Sequence, residues 1–310
     1  MSERLAEVGR RITVVRQLGA VVNAMRGVAG SRAQQSRTRL PAIRAYAETA
    51  VNAISAARRL EANAPTAPAT FHGAPGLIVF GAEQGFAGAF IELALNAAES
   101  EIADSHVFLV GSRAASIAKD RGLKVDWMRS LPNSVAAIAD AASAIVDAVY
   151  AWLAEAGAAR VGMLYPVWVP GRGAEIWKRS LLPLDIKATS SDGSGPPPLV
   201  NLPTTELIAR LAQEYIFAQI CEAALEAFAA ENEARAATMA AAKTNIDARL
   251  AALEAEERLT RQEEITAEVV ELAAATRLRR ADRWDAGGKE EGPEARGQSR
   301  GSNRRDPAPR

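Results

Sequence analysis

ENEARAATMAAAKTNIDARLAALEAEERLTRQEEITAEVVELAAA, residues 231–275, contains no glycine or proline, and neither residue occurs anywhere from Thr204 to Ala286. Both residues disrupt helix interiors, so their absence predicts one helix through the whole interval. Pro203 suits its first turn, where an amide hydrogen has no intrahelical partner. At ~1.5 Å per residue this helix would extend on the order of 120 Å, which exceeds the diameter of a compact domain. It must therefore project from the domain and pack along a second helix.

A second long helix is predicted at the other end of the chain, over residues 2–60. Apolar residues recur there at steps of three and four, at Leu5, Val8, Ile12, Val15, Leu18, Val22, Met25 and Val28. Pro41 is expected to kink or break this helix. The apolar stripe of the C-terminal helix comprises Met239, Ile246, Leu250, Leu253, Ile265, Val269 and Leu272. Each apolar stripe must be buried against another element, and each helix is the only long partner predicted for the other.

Charge is distributed unevenly along the chain, although Lys/Arg and Asp/Glu are equal in number at 37 each. Among the charged residues, arginine is the most frequent in residues 1–60, whereas glutamate is the most frequent in residues 204–276. Opposite charges on two long helices favour their pairing as an antiparallel coiled coil, although two separate solvated faces would show the same distribution.

The middle of the chain shows a different pattern, in which short apolar runs alternate with helical periodicity. The runs typical of strands are GLIVF (76–80), HVFLVG (106–111), RVGMLYP (160–166) and EIWKRSLLPL (175–184). The helical patterns cover residues 87–101, 112–121 and 134–156. This alternation predicts a mostly parallel sheet covered by helices.

The predicted fold class is therefore α/β plus a long antiparallel coiled coil, in which N- and C-terminal helices flank an inserted, mostly parallel α/β sheet domain. The predicted segments are an N-terminal coiled-coil helix (1–60), the α/β domain (61–202), a C-terminal coiled-coil helix (203–284) and a disordered charged tail (285–310). A Pro/Ala linker is expected at 61–75 and a flexible loop at 190–198.

The most enzyme-like stretch is GAEQGFAGAF (81–90), because it follows a strand and precedes a helix, where phosphates bind. Its glycines match neither the dinucleotide fingerprint nor the P-loop, which favours a structural turn. Glu83 and Glu92 are a possible acid/base pair, but nothing in the sequence places them around a common centre. We therefore predict no catalytic residue and no cofactor.

Soft metal ligands are scarce, since the chain has only two histidines, His72 and His106, and one cysteine, Cys221. No metal site is expected, and Cys221 is predicted to be a core residue. No uninterrupted run of about 18 apolar residues occurs, so no membrane span is expected.

Two functional alternatives remain open on the residues alone. The chain could be a nucleotide-dependent α/β enzyme with helical arms, or a coiled-coil adaptor that binds nucleic acid through its first helix. The arginines that would serve the second function are Arg10, Arg11, Arg16, Arg26, Arg32, Arg37, Arg39 and Arg44.

Several stretches match one known family. The first helix carries Ala24-Met25, Val28-Ala29 and Tyr46-Ala47-Glu48. The last helix carries Arg235, Met239 and Asn245, followed by Arg261, Gln262, Ile265, Thr266 and Glu268. In these residues and their spacing, the chain resembles the gamma subunit of F-type ATP synthases over about residues 1–276. VFGAEQGFAGAF (79–90) resembles the strand and turn of that family, with Glu83 in place of Asp and Ala87 in place of Cys.

The resemblance implies a non-catalytic rotor shaft, present in one copy per complex, which couples ion flow to ATP synthesis or hydrolysis at the beta subunits. It implies as partners three alpha and three beta subunits, the epsilon subunit and the c-ring, and no nucleic acid. It implies a peripheral membrane location on the cytoplasmic face of the bacterial inner membrane. Contacts with the ring are implied for Met25, Arg235, Arg261, Gln262, Thr266 and Glu268, and an apolar bearing for Val269 and Leu272.

Two glycines depart from the family pattern. Gly27 stands where the family has a bulky apolar residue, and Gly30 where it tends to have alanine. These departures indicate a divergent branch, such as one encoded in an alternative ATPase operon. We expect the glycines either to let the two helices approach closely or to keep the shaft slim beside a moving partner. The arginines from Arg277 onward are expected to emerge beyond the ring.

Overall fold

The computed structural model describes residues 3–60, 73–157, 159–184 and 199–287, with side chains described as far as Arg279. Its elements are α1 (Glu3–Leu60), β1 (Gly76–Phe80), α2 (Phe90–Ile102), β2 (His106–Val110), α3 (Ser112–Asp120), β3 (Trp127–Arg129), a 3₁₀ turn (Val135–Ala137), α4 (Ile138–Ala156), β4 (Val161–Val169), β5 (Gly173–Leu182) and α5 (Thr204–Gly287). The predicted linker up to residue 72, the loop at 190–198 and the tail beyond Gly287 lie outside the described residues.

The central sheet has five strands in the order β3-β2-β1-β4-β5. β1 pairs in parallel with both β2 and β4, β2 pairs in parallel with β3, and β4 pairs antiparallel with β5. The mostly parallel α/β fold with flanking helices is therefore confirmed. The sequence did not predict β3, because three residues are too short to form a recognisable apolar run.

Both faces of the sheet are covered, which explains why β1 is apolar at every position. Ile78 and Phe80 face a core cluster that includes residues of α4 and α5. Leu77 and Val79 face a second cluster with residues of α2 and α3. α5 thus contributes part of the domain core as well as a long helix.

The described residues divide into two compact units, of which the larger is Val15–Arg249. Within it, α1 and α5 run antiparallel: Arg37 pairs with Glu233 at 2.9 Å, and the Tyr46 hydroxyl donates to Glu214 at 2.6 Å. The buried Ser36 hydroxyl donates to the Leu225 carbonyl oxygen at 2.7 Å. Opposite charges on the two helices therefore do meet in this unit.

The smaller unit comprises the described residues of Met1–Val14 and Leu250–Arg310. Leu5, Val8 and Ile12 of α1 are buried there, and so are Leu253 and Thr260 of α5. Arg4 lies 3.7 Å from Glu263, which again gives an antiparallel pairing. Between Ile265 and Arg279, every side chain of α5 is exposed.

α1 continues through Pro41, so the expected break in the helix is wrong. Proline removes one backbone hydrogen bond, but the adjoining residues are tied to α5 on both sides. Leu40 is buried, and Arg44 donates to Glu222 and Glu226 at 2.9 and 2.6 Å. These contacts hold the helix where its own ladder is interrupted.

One segment among the described residues is long and apolar enough to cross a membrane, namely Val135–Ala156 with a mean hydropathy of 1.4. The segment qualifies by length and composition only, so the expectation that no segment spans a membrane stays a prediction. Ile138, Ile145 and Val149 of this segment are buried in the sheet core. The segment thus packs as a core helix of the α/β domain.

Candidate functional site

The turn after β1 is fastened to α5 by two buried charged side chains. The Glu231 carboxylate accepts the backbone N–H groups of Glu83 at 3.0 Å and Gln84 at 2.8 Å. Arg235 donates to the Gly85 carbonyl oxygen at 3.2 Å and also to Glu231 and Asn232. Glu231 supplies the negative charge that a phosphate would bring to such a turn. The position that a phosphate would take at this turn is therefore occupied by the Glu231 carboxylate.

Glu83 also has a structural function. Its carboxylate accepts the backbone N–H and the hydroxyl of Ser112, and the backbone N–H of Leu131, each at 2.8 Å. Glu92 is instead paired with Arg121. The two carboxylates bind separate partners, so they form no acid/base pair.

A second charged cluster joins α1, β5 and α5. Glu222 accepts from Arg179 of β5 at 2.8 Å and from Arg44 of α1 at 2.9 Å. Burial raises the pKa of Glu222, but the hydrogen bonds and charges of Arg179 and Arg44 outweigh it and hold the pKa below the usual value. Burial raises the pKa of neighbouring Glu226. This cluster fixes the helix pair against the sheet edge.

Met25 lies half-buried in a shallow groove of 330 Å³. Its apolar wall includes Val21 and Val28, which are 56% and 52% exposed, and its polar end includes Gln84 and Arg235. Large apolar side chains are thus presented beside the turn that Glu231 fastens. Such a surface is typical of a protein contact.

Gly27 and Gly30 lie on exposed turns of the same helix. A Cβ built at either position would meet nothing within 4 Å. Close approach of α1 and α5 therefore does not account for these glycines, and that alternative is wrong. The other alternative, a slim outer surface, stays a prediction.

The remaining predicted contact residues lie in the smaller unit. Arg261, Gln262, Thr266 and Glu268 are all exposed, as are Val269 at 58% and Leu272 at 68%. Their polar groups bond only locally: Arg261 donates to Glu257 at 3.1 Å, and the Thr266 hydroxyl donates to the Gln262 carbonyl oxygen at 2.8 Å. Met25 and Arg235 belong to the larger unit.

Arg235 differs from the other predicted contact residues. It is only 6% exposed and is bonded within the chain, so any effect on a partner would pass through the turn that it holds. Sequence reasoning missed its companions Glu231 and Asn232. The available signal was the i,i+4 spacing of Glu231 and Arg235 within an alanine-rich segment, where charges on a buried helix need partners.

Cys221 is buried in the core, and His106 is packed against an aromatic neighbour. Burial raises the pKa of the Cys221 thiol to about 12, which leaves it protonated and unreactive. The His106 ring stacks on Trp152, with centroids 5.0 Å apart. His72 lies outside the described residues. Within the described residues, no group of three His, Cys, Asp or Glu side chains is placed to hold a metal.

A family model for ATP synthase matches residues 4–277. The fold is similar to a chain of the Euglena gracilis mitochondrial ATP synthase, OSCP/F1/c-ring in rotational state 3, with a TM-score of 0.56, 14% identity, and coverage of 95% of this chain and 99% of that one. It is also similar to a chain of the Tetrahymena thermophila mitochondrial ATP synthase central stalk and c-ring, with a TM-score of 0.50, 18% identity, and coverage of 72% and 99%. The class is thus a subunit of ATP synthase.

Two relatives give the particular subunit. The ATP synthase gamma chain of Thermobifida fusca is 25% identical over 297 residues, covering 88% of this chain and 95% of the relative. That of Acidothermus cellulolyticus is 25% identical over 290 residues, covering 88% and 96%. The chain belongs to the ATP synthase gamma-chain family.

A gamma chain is a non-catalytic subunit of the central stalk, because catalysis takes place in the beta subunits. It is part of the membrane-associated F1 sector and peripheral to the membrane. The nucleotide-dependent enzyme and the nucleic-acid adaptor are accordingly not favoured.

Proposed function

We propose that one copy of this chain forms the rotor shaft inside a ring of three alpha and three beta subunits. Its α/β domain, taken as residues 61–202, contacts the epsilon subunit and the c-ring on the cytoplasmic face of a bacterial inner membrane. Rotation transfers energy because the shaft makes different contacts with each of three beta conformations.

One observation carries this proposal: α5 exposes a run of apolar side chains for which the described chain provides no cover. From Ile265 to Arg279 every side chain is exposed, including Val269, Val270 and Leu272 at 58–68%. An amphipathic helix is stable in water only when its apolar face is covered. A shaft inside a ring would have this face covered by the surrounding subunits.

We assign the contacts with the ring to two places. In the larger unit, Met25 offers a half-buried apolar surface, and Arg235 holds the adjoining turn at Gly85 in position. In the smaller unit, the polar contact residues are Arg261, Gln262, Thr266 and Glu268. The apolar bearing residues Val269 and Leu272 then turn within a sleeve of the ring.

The test is the double substitution Gln262→Ala and Thr266→Ala in the assembled complex. Both side chains are exposed, so we expect the complex to assemble normally while the rate of ATP synthesis by inverted membrane vesicles falls. The matched control is Thr244→Ala, since Thr244 is also an exposed α5 residue whose hydroxyl bonds four residues back, to Ala240 at 3.2 Å. Wild-type synthesis rates in the double variant would reject the assigned contacts.

A further inference from the structure

A groove of 560 Å³ runs along the outer edge of the sheet, between α3 and β3. Ala115, Leu123, Val125 and Met128 supply its apolar surface, and Lys119 of α3 also lines it. Met128 is 66% exposed, which is unusual for a large apolar side chain on a strand. All of these residues lie in the larger unit.

The direction of the β3 side chains follows from its neighbours. The Trp127 ring packs on Phe108 with centroids 6.0 Å apart, and Phe108 belongs to the core cluster shared with α4 and α5. Successive strand residues point to opposite faces. Met128 therefore points to the α3 face, into the groove, where its flexible thioether can fit different apolar partners.

The backbone of β3 offers hydrogen bonds at the same edge. The Arg129 carbonyl oxygen accepts from the Gly111 N–H at 2.8 Å, so the backbone groups of Arg129 point inward to β2. Because these directions alternate along a strand, the N–H and carbonyl groups of Met128 point outward. No further strand pairs with β3 among the described residues.

The charge at the edge of β3 indicates the chemistry of a partner strand. Within the described part of the chain, neither Lys119 nor Arg129 forms an ion pair, whereas the nearby Arg121 is paired with Glu92. The carboxylate of Glu83 is taken by Ser112 and Leu131. The positive charge of Arg129, on the face opposite to Met128, is thus available to a partner with carboxylates.

We propose that the open edge of β3 binds an extended segment of a partner protein in which apolar and acidic residues alternate. The segment adds a strand to the sheet through the outward backbone groups of Met128. Because successive residues of the added strand point to opposite faces, its apolar side chains enter the groove beside Ala115 and Leu123, and its carboxylates pair with Arg129 on the other face. This interaction surface goes beyond the rotor contacts and does not depend on them.

The probe is a short fluorescent peptide in which valine and leucine alternate with aspartate, titrated against the full chain. We expect saturable binding, together with slower hydrogen exchange at the Met128 amide when the peptide is present. Met128→Pro removes the outward donor at a position where an edge strand tolerates proline, and should weaken binding about tenfold or more. The matched control Met128→Leu keeps the donor and the apolar side chain, and should bind as wild type.

A second variant tests the charge independently of the backbone. Arg129→Glu should also weaken binding of the aspartate peptide about tenfold or more, because like charges then face each other. A peptide with lysine in place of aspartate should bind the wild type far less well. Absence of saturable binding, or equal binding by wild type and both variants, would overturn the proposal.

Discussion

Two stretches of α5 differ in the burial of their side chains. From Ile216 to Ala230 every side chain is buried or half-buried, and the charged residues that follow, Glu231 and Arg235, are 3% and 6% exposed. From Ile265 to Arg279 none is buried, although Ile265, Val269 and Leu272 are as apolar as core residues. One uninterrupted helix thus forms part of a domain core and then a surface that the described residues leave uncovered.

The difference shows that burial of α5 follows from what packs on it and not from its hydrophobicity. The first stretch is rich in alanine and carries charges, yet α1, the sheet and the turn after β1 surround it. Its charges are tolerated because each is paired and hydrogen bonded. The second stretch has no such neighbours among the described residues.

The largest expected effect concerns the buried charge. Arg235→Ala leaves Glu231 buried with only backbone donors, and should lower the free energy of unfolding in urea by about 3–5 kcal/mol. The matched control is Arg261→Ala, which removes an exposed pair with Glu257 and should cost no more than about 1 kcal/mol. Equal losses of stability for the two variants would contradict the claim that the buried pair matters more than the exposed pair.

A double variant sharpens the same test. Glu231→Gln with Arg235→Met removes both charges while keeping an oxygen acceptor for the turn. It should be less destabilised than Arg235→Ala, because no uncompensated charge remains in the core. A double variant at least as unstable as Arg235→Ala would mean that side-chain volume, and not charge, decides the cost.

A smaller effect is expected at Glu222, whose ionised form is favoured in the folded protein. Its contribution to stability is fully present above the unfolded pKa of about 4.5 and is lost as the pH falls through the lower folded pKa. Glu222→Gln should therefore cost about 1–3 kcal/mol at neutral pH and progressively less in acid. Urea unfolding across this pH range measures the difference from wild type. A difference independent of pH would contradict the prediction, and Glu206→Gln, in an exposed pair with Arg210, is the control.

The smallest effect is stabilising and concerns the exposed face of α1. Gly27→Ala should raise the free energy of unfolding by about 0.5–1 kcal/mol, because alanine favours a helix and its Cβ meets nothing within 4 Å. We expect the efficiency of coupled ATP synthesis to fall in the same variant if a slim surface is used. Gly19→Ala is the control, since its Cβ would lie only 3.2 Å from the Ile246 side chain. If Gly27→Ala were no more stable than Gly19→Ala, the claim that alanine stabilises the helix at an uncrowded site would be wrong.

Much of the fold could be predicted because its signals are local. The absence of glycine and proline predicted α5, and short apolar runs predicted β1, β2, β4 and β5. β3 escaped prediction because its three residues are too short to form a recognisable apolar run. The prediction at Pro41 failed because contacts with α5, distant in sequence, outweigh the missing hydrogen bond.

The sites were harder to predict, because their geometry joins distant residues. Glu83 looked like a candidate acid, yet its bonds to Ser112 and Leu131 make it a structural residue. Arg235 looked like a surface contact, yet Gly85, 150 residues earlier, accepts one of its hydrogen bonds. The contacts at Met25 and at the exposed α5 positions Arg261, Gln262, Thr266 and Glu268 came from the family resemblance, and they stay a prediction.

The most direct test of the shaft proposal measures the accessibility of the exposed stretch. Val269→Cys and Leu272→Cys can each be labelled with a maleimide in the free chain and in the assembled ATP synthase, because native Cys221 is buried, with a pKa of about 12. Leu253→Cys, at a position 2% exposed, is the control that should react slowly in both states. We predict fast labelling of the two exposed positions in the free chain, slowed on the order of tenfold or more in the complex. Equal rates in the two states would contradict the claim that a partner covers this stretch.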